Sequence, residues 1–384
     1  MADNNVPIFP REAMIGSLAD LAREAAKGNE VPEEFLFGAA LTVFGAVASG
    51  RLFLQIGLDS DTRLYTVLVA ESASGKKSTA TAFITEFFKS LNLPDWNVCY
   101  GVGSAEGLGQ QLNTTMRLLL NLDELRSFME KSQIKGSVLL PMTATLFEKL
   151  HYENHTKDSH IAVEEARLGL LACSTVDTYN GDMWSAEAIA IGLPNRLFVV
   201  SAPQRPRVAW PKERNRERLD AIGQTIKGQF ARLPEKLGIT PEAKVVWEEW
   251  YENLPACEQA RRLDTIGFRL MPILATTTDS PEVDVDIVEA VTAILDYELQ
   301  IRTLLDPVDA ETIVAKVEQK ICRRLKVESP MSRRSLSKAI HAERYGKGTF
   351  GLALQNLQAN GDIELFQLGL TGRKLAYRLS EPIE

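Results

Sequence analysis

The chain has 384 residues, 45% of them hydrophobic and 24% charged, with a net charge of -8. That composition is globular, and the length suits about two to three domains. It argues against a protein that is basic throughout, so any nucleic-acid contact must come from a local basic patch.

In chain order, residues 11–27 carry helical periodicity, and an apolar helix over 32–49 stops near Gly50. "RLFLQIGL" reads as a strand, and "RLYTVLVA" (63–70) as a strand covered on both faces. A helix over 77–91 follows. "VCYGVGSAEGLGQQL" reads as strand, turn and short helix, and "MRLLLNLDEL" (116–125) as a buried strand ending in two acids. Residues 126–150 read as mostly helical, 151–165 as a polar hairpin, "LGLLACST" and "NRLFVVSA" (195–202) as further strands. Alternating strands and helices predict a parallel sheet with helices on both faces. Residues 203–218 are a Pro- and charge-rich connector, and 219–305 are helical. After 310, helices at 311–326, 332–342 and 348–359 precede two strands around a Gly-containing turn, the layout of a winged helix. The expected division is 1–50 N-terminal helices, 51–205 core, 206–308 helical lid, and 309–384 winged helix.

Cys99, Cys173, Cys257 and Cys322 form no C-x-x-C pair and read as buried free thiols in a reducing compartment. His151, His155 and His160 match no ligand spacing and read as a solvated hairpin. The polar opening segment shows no secretory signal, and the most apolar run, 35–48, is shorter than the ~18 residues of a membrane span. A soluble, cytoplasmic protein with no membrane partner is expected.

The chemistry begins at "AESASGKKST". A phosphate cradle needs a loop of small residues whose N–H groups converge on anionic oxygens, followed by a helix N-terminus. Ser72, Ala73, Ser74 and Gly75 are small enough for that. A lysine must then span the β- and γ-phosphates, with a hydroxyl beside it for Mg²⁺. Two registers compete. In one, Gly75–Lys76 fit but Lys77 takes the hydroxyl position. In the other the loop is one residue longer, and Lys77–Ser78 supply lysine and hydroxyl together, followed by Thr79. The second is preferred because it keeps the metal-binding hydroxyl; Lys76 is then an auxiliary contact. A Ser/Lys-rich surface turn is the plain alternative.

About forty residues on, Asp123 and Glu124 end an apolar strand. Asp123 is expected to hold the Mg²⁺ shell, and Glu124 to orient and deprotonate an attacking water. Ser174 or Thr175, on a strand inserted beside the acid-bearing one, is a candidate γ-phosphate sensor; strand-end capping is the alternative. Arg196 precedes an apolar strand and is expected to project from the sheet end, toward a neighbour's ATP, as an arginine finger. Arg269 is a candidate second sensor or a plain lid arginine.

With these motifs in place, residues 34–305 resemble the helicase-type ATPase domain of primase-helicase-like proteins carried on plasmids, prophages and integrated elements. The resemblance rests on "SGKKST", "GSAEGLGQQL" (103–112), the "DE" strand, "LLACSTVD" and "NRLF", in that order. It implies a RecA/AAA+-like P-loop NTPase fold, ATP and Mg²⁺ as cofactors, an arginine acting across subunits, and hence a ring, expected to be a hexamer. Ala70 stands where the family has the first loop Gly, which puts the loop geometry in question. The primase-polymerase domain of larger relatives is not in this sequence, so priming is not expected.

Residues 316–347 hold ten Lys/Arg against three Asp/Glu. Arg333, Arg334, Lys338, Arg344 and Lys347, with Arg373 and Lys374 at the wing, are candidate phosphate contacts on DNA. Protein docking is the other use of a winged helix. The hairpin at 151–165, with Lys157, is the candidate loop for threading a strand. The expected function is an ATP-driven DNA motor, a replicative-type helicase of a mobile element. The alternatives are an ATP-dependent DNA-binding switch that never unwinds, and a DNA-binding module with an inactive nucleotide site.

Overall fold

In the computed structural model, β3 (Tyr65–Val69), β4 (Asn97–Cys99), β5 (Arg117–Leu122), β8 (Arg167–Ser174) and β9 (Leu197–Ser201) form one parallel sheet in the order β4-β5-β8-β3-β9. The structure describes residues 7–57, 59–71, 76–155, 160–182, 188, 191–305, 313–340, 342–345, 348–368 and 374–380. The register pairs Tyr65 with both Leu170 and Leu197, Leu120 with Leu170, and Val98 with Leu119. The strands read as unbroken apolar runs because both faces are covered: all five residues of β3 and of β9 are buried. This is a mixed α/β fold with a parallel central sheet, as the alternation of elements predicts.

The connections position the site. From β3 the chain passes β8 and β5 to reach β4 at the far edge; from β8 it passes β3 to reach β9. Right-handed crossovers running in opposite directions place their helices on opposite faces of the sheet. So β3 leads into α3 (Lys77–Ser90), which packs on α2 (Glu33–Ala48). On the other face, α4 (Ala105–Thr114) and α5 (Leu125–Ser132) meet α6 (Leu139–Glu148), and β8 leads into α7 (Val176–Asp182). Neighbouring strands whose chains leave toward opposite faces open a crevice at their carboxyl ends.

Helix α2 touches four strands of the sheet and is buried from Glu34 to Ala48. Its glycines let the backbones close in. A methyl on Gly45 would lie 2.2 Å from the Thr62 carbonyl oxygen, and Thr62 Oγ1 donates to the Gly45 carbonyl at 2.7 Å. Gly45→Ala must therefore push two backbones apart. We expect it to lower the unfolding free energy by about 1–3 kcal/mol, read from the denaturation midpoint at unchanged slope.

The outer edge of β9 is sealed by side chains of a helix. In α11 (Val285–Leu305), both oxygens of Glu298 accept from the Val199 N–H at 3.0 Å. Tyr297 OH accepts from Ser201 N–H at 2.8 Å and donates to Ser201 O at 2.7 Å. Arg302 donates to Leu197 O at 2.7 Å and to Glu298 at 2.8 Å. Residues 197, 199 and 201 are the alternate positions whose backbone groups face away from β3, and each finds a partner on one helix.

Residues 126–150 are mostly helical as expected, in two helices, α5 and α6, and the first apolar strand is only Phe53–Gln55 (β1). The helical stretch 219–305 is interrupted by β10 (Lys236–Leu237), which pairs in parallel with β1. The segments expected as N-terminal helices, core and lid share one core running from Phe9 to Leu305, and the first compact unit is Met1–Leu305.

The second unit is Asp306–Glu384. It holds α12 (Ile313–Val327), α13 (Arg333–Ala339) and α14 (Thr349–Ala359), with β12 (Ile363–Leu368) and β13 (Lys374–Leu379) as the expected hairpin. A short strand not foreseen, β11 (Met331–Ser332), joins β13 to give the antiparallel order β11-β13-β12. Val317, Ile321, Leu325, Leu336, Leu354, Leu357 and Tyr377 form its core. Among the described residues no helix is long and apolar enough to cross a membrane.

Candidate functional site

The crevice between the carboxyl ends of β3 and β8 is where a ligand is expected in an open α/β sheet. Ser72, Ala73, Ser74 and Gly75 lie outside the described residues. The chain resumes at Lys76, which takes the left-handed conformation (φ 49°, ψ 31°) just before α3 begins at Lys77. That single residue turns the two lysines apart. Lys76 reaches back to Glu30, its Nζ 3.4 Å from Oε2. Glu30 is fixed in turn by the Val208 N–H, which donates to its Oε1 at 2.9 Å. Lys77 points into the crevice, where its ammonium donates to the carbonyls of Ala70 at 3.0 Å and Glu71 at 3.4 Å. Burial holds the Lys77 pKa below the usual lysine value, while Cys173, Glu124 and Glu71 pull it back up.

The other groups gather around the same point. Asp123 and Glu124 follow β5 at once, and both are exposed. Among the described residues neither carboxylate accepts a hydrogen bond. Asn121 Nδ2 donates to Thr85 Oγ1 at 3.0 Å and so ties the end of β5 to α3. Between β3 and β5 lies β8, whose Cys173 is buried at the centre of the cluster. Its thiol is pushed up to about 12, by burial first; Asp123 adds to the rise, and the hydroxyls of Thr81 and Ser78 and the Lys77 ammonium oppose it. One thiol thus lies within electrostatic reach of Lys77, Ser78 and Asp123. Sequence reading missed Cys173, whose only signal was its place in "LLACST". Ser78 and Thr79, on the first turn of α3, are exposed.

Thr175 caps the helix that follows. Its Oγ1 accepts from the Thr178 N–H at 3.1 Å and donates to Thr178 Oγ1 at 2.8 Å. The capping alternative is therefore the geometry seen, with Thr175 half-buried at the mouth of the crevice.

Two arginines are placed differently from expectation. Arg196 does not project from the sheet end. It lies at the amino end of β9, 9% exposed, and donates to the carbonyls of Ile191 at 2.7 Å and Gly192 at 2.8 Å. Those carbonyls bond its Nη1, while its buried Nε has no hydrogen-bond partner among the described residues and lies 3.9 Å from Glu148 Oε1; burial lowers its pKa. Arg269 is not near the crevice either. Its guanidinium is buried 3.8 Å from the Phe147 ring centre and donates to the carbonyls of Arg63 and Phe147, each at 2.6 Å. Burial, with Arg63 beside it, brings its pKa down to about 9. Because Arg63 precedes β3, this arginine fastens helix to sheet at the edge opposite Lys77. Two cavities, of about 790 and 280 Å³, lie near the amino end of β9; neither touches Lys77, Asp123 or Glu124.

In the second unit, Arg333, Arg334 and Lys338 are exposed on α13, with the Arg333 guanidinium 5.9 Å from the Phe350 ring centre. Arg344 falls in a 3₁₀ turn (Ala342–Tyr345), and Lys374 opens β13. Lys347, Arg373 and the hairpin's Lys157 lie outside the described residues. The four cysteines are free, but Cys257 is exposed rather than buried, and Cys99 and Cys322 are half-buried.

The cluster fits a metal-bound triphosphate by the chemistry of its donors. It offers one half-buried ammonium held, among the described residues, by two carbonyls, a hydroxyl beside it, and two exposed carboxylates after β5, across the intervening strand β8. The chain matches no protein-family model, and the comparison with curated proteins found no match.

Proposed function

We propose that this chain is a P-loop ATPase that works on DNA as a ring-forming motor, with its second unit a winged helix. The observation that carries this reading is the convergence of Lys77 and the Asp123–Glu124 pair. They are far apart in sequence, yet they meet at the carboxyl ends of β3 and β5, flanking the inserted strand β8. ATP with Mg²⁺ supplies an activated phosphoanhydride and a divalent charge that neutralises the leaving group. The residues of the chain do the rest. Lys77 exchanges the Ala70 and Glu71 carbonyls for phosphate oxygens. Ser78 and Asp123 would hold the metal. Glu124 orients a water and takes its proton. Cys173, protonated and buried, keeps the floor of the crevice neutral.

The exposed Arg333, Arg334 and Lys338, in the basic stretch 316–347, support DNA as the partner of the second unit. The test is the ATPase rate with and without single-stranded DNA, alongside particle size with ATP present. DNA-stimulated hydrolysis by a ring is expected; no ATP binding at all overturns the reading. Glu124→Gln should bind ATP normally yet lower hydrolysis by about 10²–10⁴-fold, measured by single-turnover kinetics.

One observation favours the switch as a second reading: Arg196 is buried and tied through Nη1 to carbonyls of its own chain, which keeps it from a neighbour's nucleotide in this conformation. A strand-displacement assay separates the two. Hydrolysis stimulated by DNA without displacement assigns the switch.

A further inference from the structure

The polar hairpin pairs β6 (Tyr152–His155) with β7 (His160–Val163), and its register sets His155 directly opposite His160. Alternation sorts the two faces. Ile161 and Val163 are buried against α4, where a methyl on Gly109 would lie 3.1 Å from Ile161 Cγ2. Asn113 Nδ2 donates to the Ala162 carbonyl at 3.1 Å and anchors the same strand. The opposite face turns Glu153, His155 and His160 to solvent. The imidazole rings stack in parallel, 3.9 Å between centres and 9° between planes. The Nε2 atoms of His155 and His160 lie 2.8 and 3.2 Å from one oxygen, Oε1 of Glu153. Three donor atoms from two strands are therefore aimed at one point, all within 4.8 Å of one another.

We propose that Glu153, His155 and His160 form a site for a divalent transition-metal ion of the imidazole-binding class, such as Zn²⁺. A tetrahedral ion with bonds of about 2.0–2.2 Å needs its ligand atoms roughly 3.3–3.5 Å apart. The two nitrogen–oxygen distances are already below that, so the Glu153 carboxylate need only draw back as the ion enters between it and the two ring nitrogens. Two imidazoles and one carboxylate make a borderline donor set that disfavours Mg²⁺ and Ca²⁺, and a fourth position stays open to water. The site needs only a hairpin already anchored on α4, and it does not rest on the ATPase reading. Sequence spacing hid it because the convergence comes from cross-strand pairing, not from a local ligand pattern.

The test uses the untagged full chain. Titration with Zn²⁺ against a chromophoric chelator should show one equivalent bound at micromolar concentration and undisturbed by excess Mg²⁺. Co²⁺ should give the visible bands of a four-coordinate site. His155→Ala and His160→Ala should each weaken binding at least about tenfold, and the double variant should abolish it. His151→Ala should leave it unchanged. The altered side chains are exposed, so circular dichroism should show every variant folded. No binding by the wild-type chain, or binding undiminished in the folded double variant, overturns the proposal.

Discussion

Lys77→Ala should lower ATP affinity and cut turnover by about 10²–10³-fold, while Lys76→Ala changes either by no more than about threefold. The difference follows from one backbone torsion pair. With Lys76 in the left-handed region, its side chain is sent toward Glu30 and the connector, and only Lys77 enters the crevice beside Glu124. Burial makes that ammonium a poorly hydrated charge whose present partners are two carbonyls, so an anion gains strongly by replacing them. Fluorescent-nucleotide binding and steady-state hydrolysis measured on both variants decide the matter. Equal loss in the two, or loss only with Lys76→Ala, would sink this assignment of the site. Neither substitution should alter the fold, since Lys76 is exposed and Lys77 only half-buried.

Removing a seal of the β9 edge should cost more stability than any surface change. Arg302→Leu leaves Glu298 buried without its cation, and the carbonyls of Leu197, Gln259 and Arg261 lose their donor. Breaking a buried ion pair from one side costs about 3–5 kcal/mol, visible as a large drop in denaturation midpoint. Tyr297→Phe strips Ser201 of two hydrogen bonds at once and should cost about 1–3 kcal/mol. The pH dependence has a definite sign. Burial raises the Glu298 pKa from 4.5 to about 7, against the pull of Arg302 and the Val199 N–H. The folded chain therefore holds this proton more tightly than the unfolded chain does. Its contribution to stability is complete below about pH 4.5 and is lost as pH rises through 7. Glu298→Gln should flatten that part of the stability–pH curve. An unchanged slope would show that Glu298 titrates normally and that the edge is less dry than its burial implies.

Much of the sheet was legible because strands covered on both faces must be continuously apolar. "LYTVLVA", "RLLLNL" and "LFVV" have no other stable home. The acids after β5 were legible for the same reason, since a charge ending such a run marks the carboxyl edge. The order of strands was not, because crossover direction leaves no mark on any single segment. The arginines were the least legible. An arginine beside an apolar run looks the same whether it meets solvent or finds carbonyls in the interior, and Arg196 and Arg269 both took the second course. Spelling favoured Lys77 over Lys76 only through the hydroxyl of Ser78 beside it. In the structure a left-handed Lys76 turns toward Glu30 and Lys77 faces the crevice, and left-handed backbone is expected of glycine rather than lysine.

The covered margin of β9 also limits how copies of this chain can associate. With Leu197, Val199 and Ser201 already bonded to a helix, no extended segment from a neighbour can add itself there as a sixth strand. The opposite margin, β4, offers only three residues, Asn97–Cys99, too short a template for durable pairing. Copies of this chain are therefore not expected to associate by extending the central sheet, so the framework that holds the crevice stays the same whether or not they do.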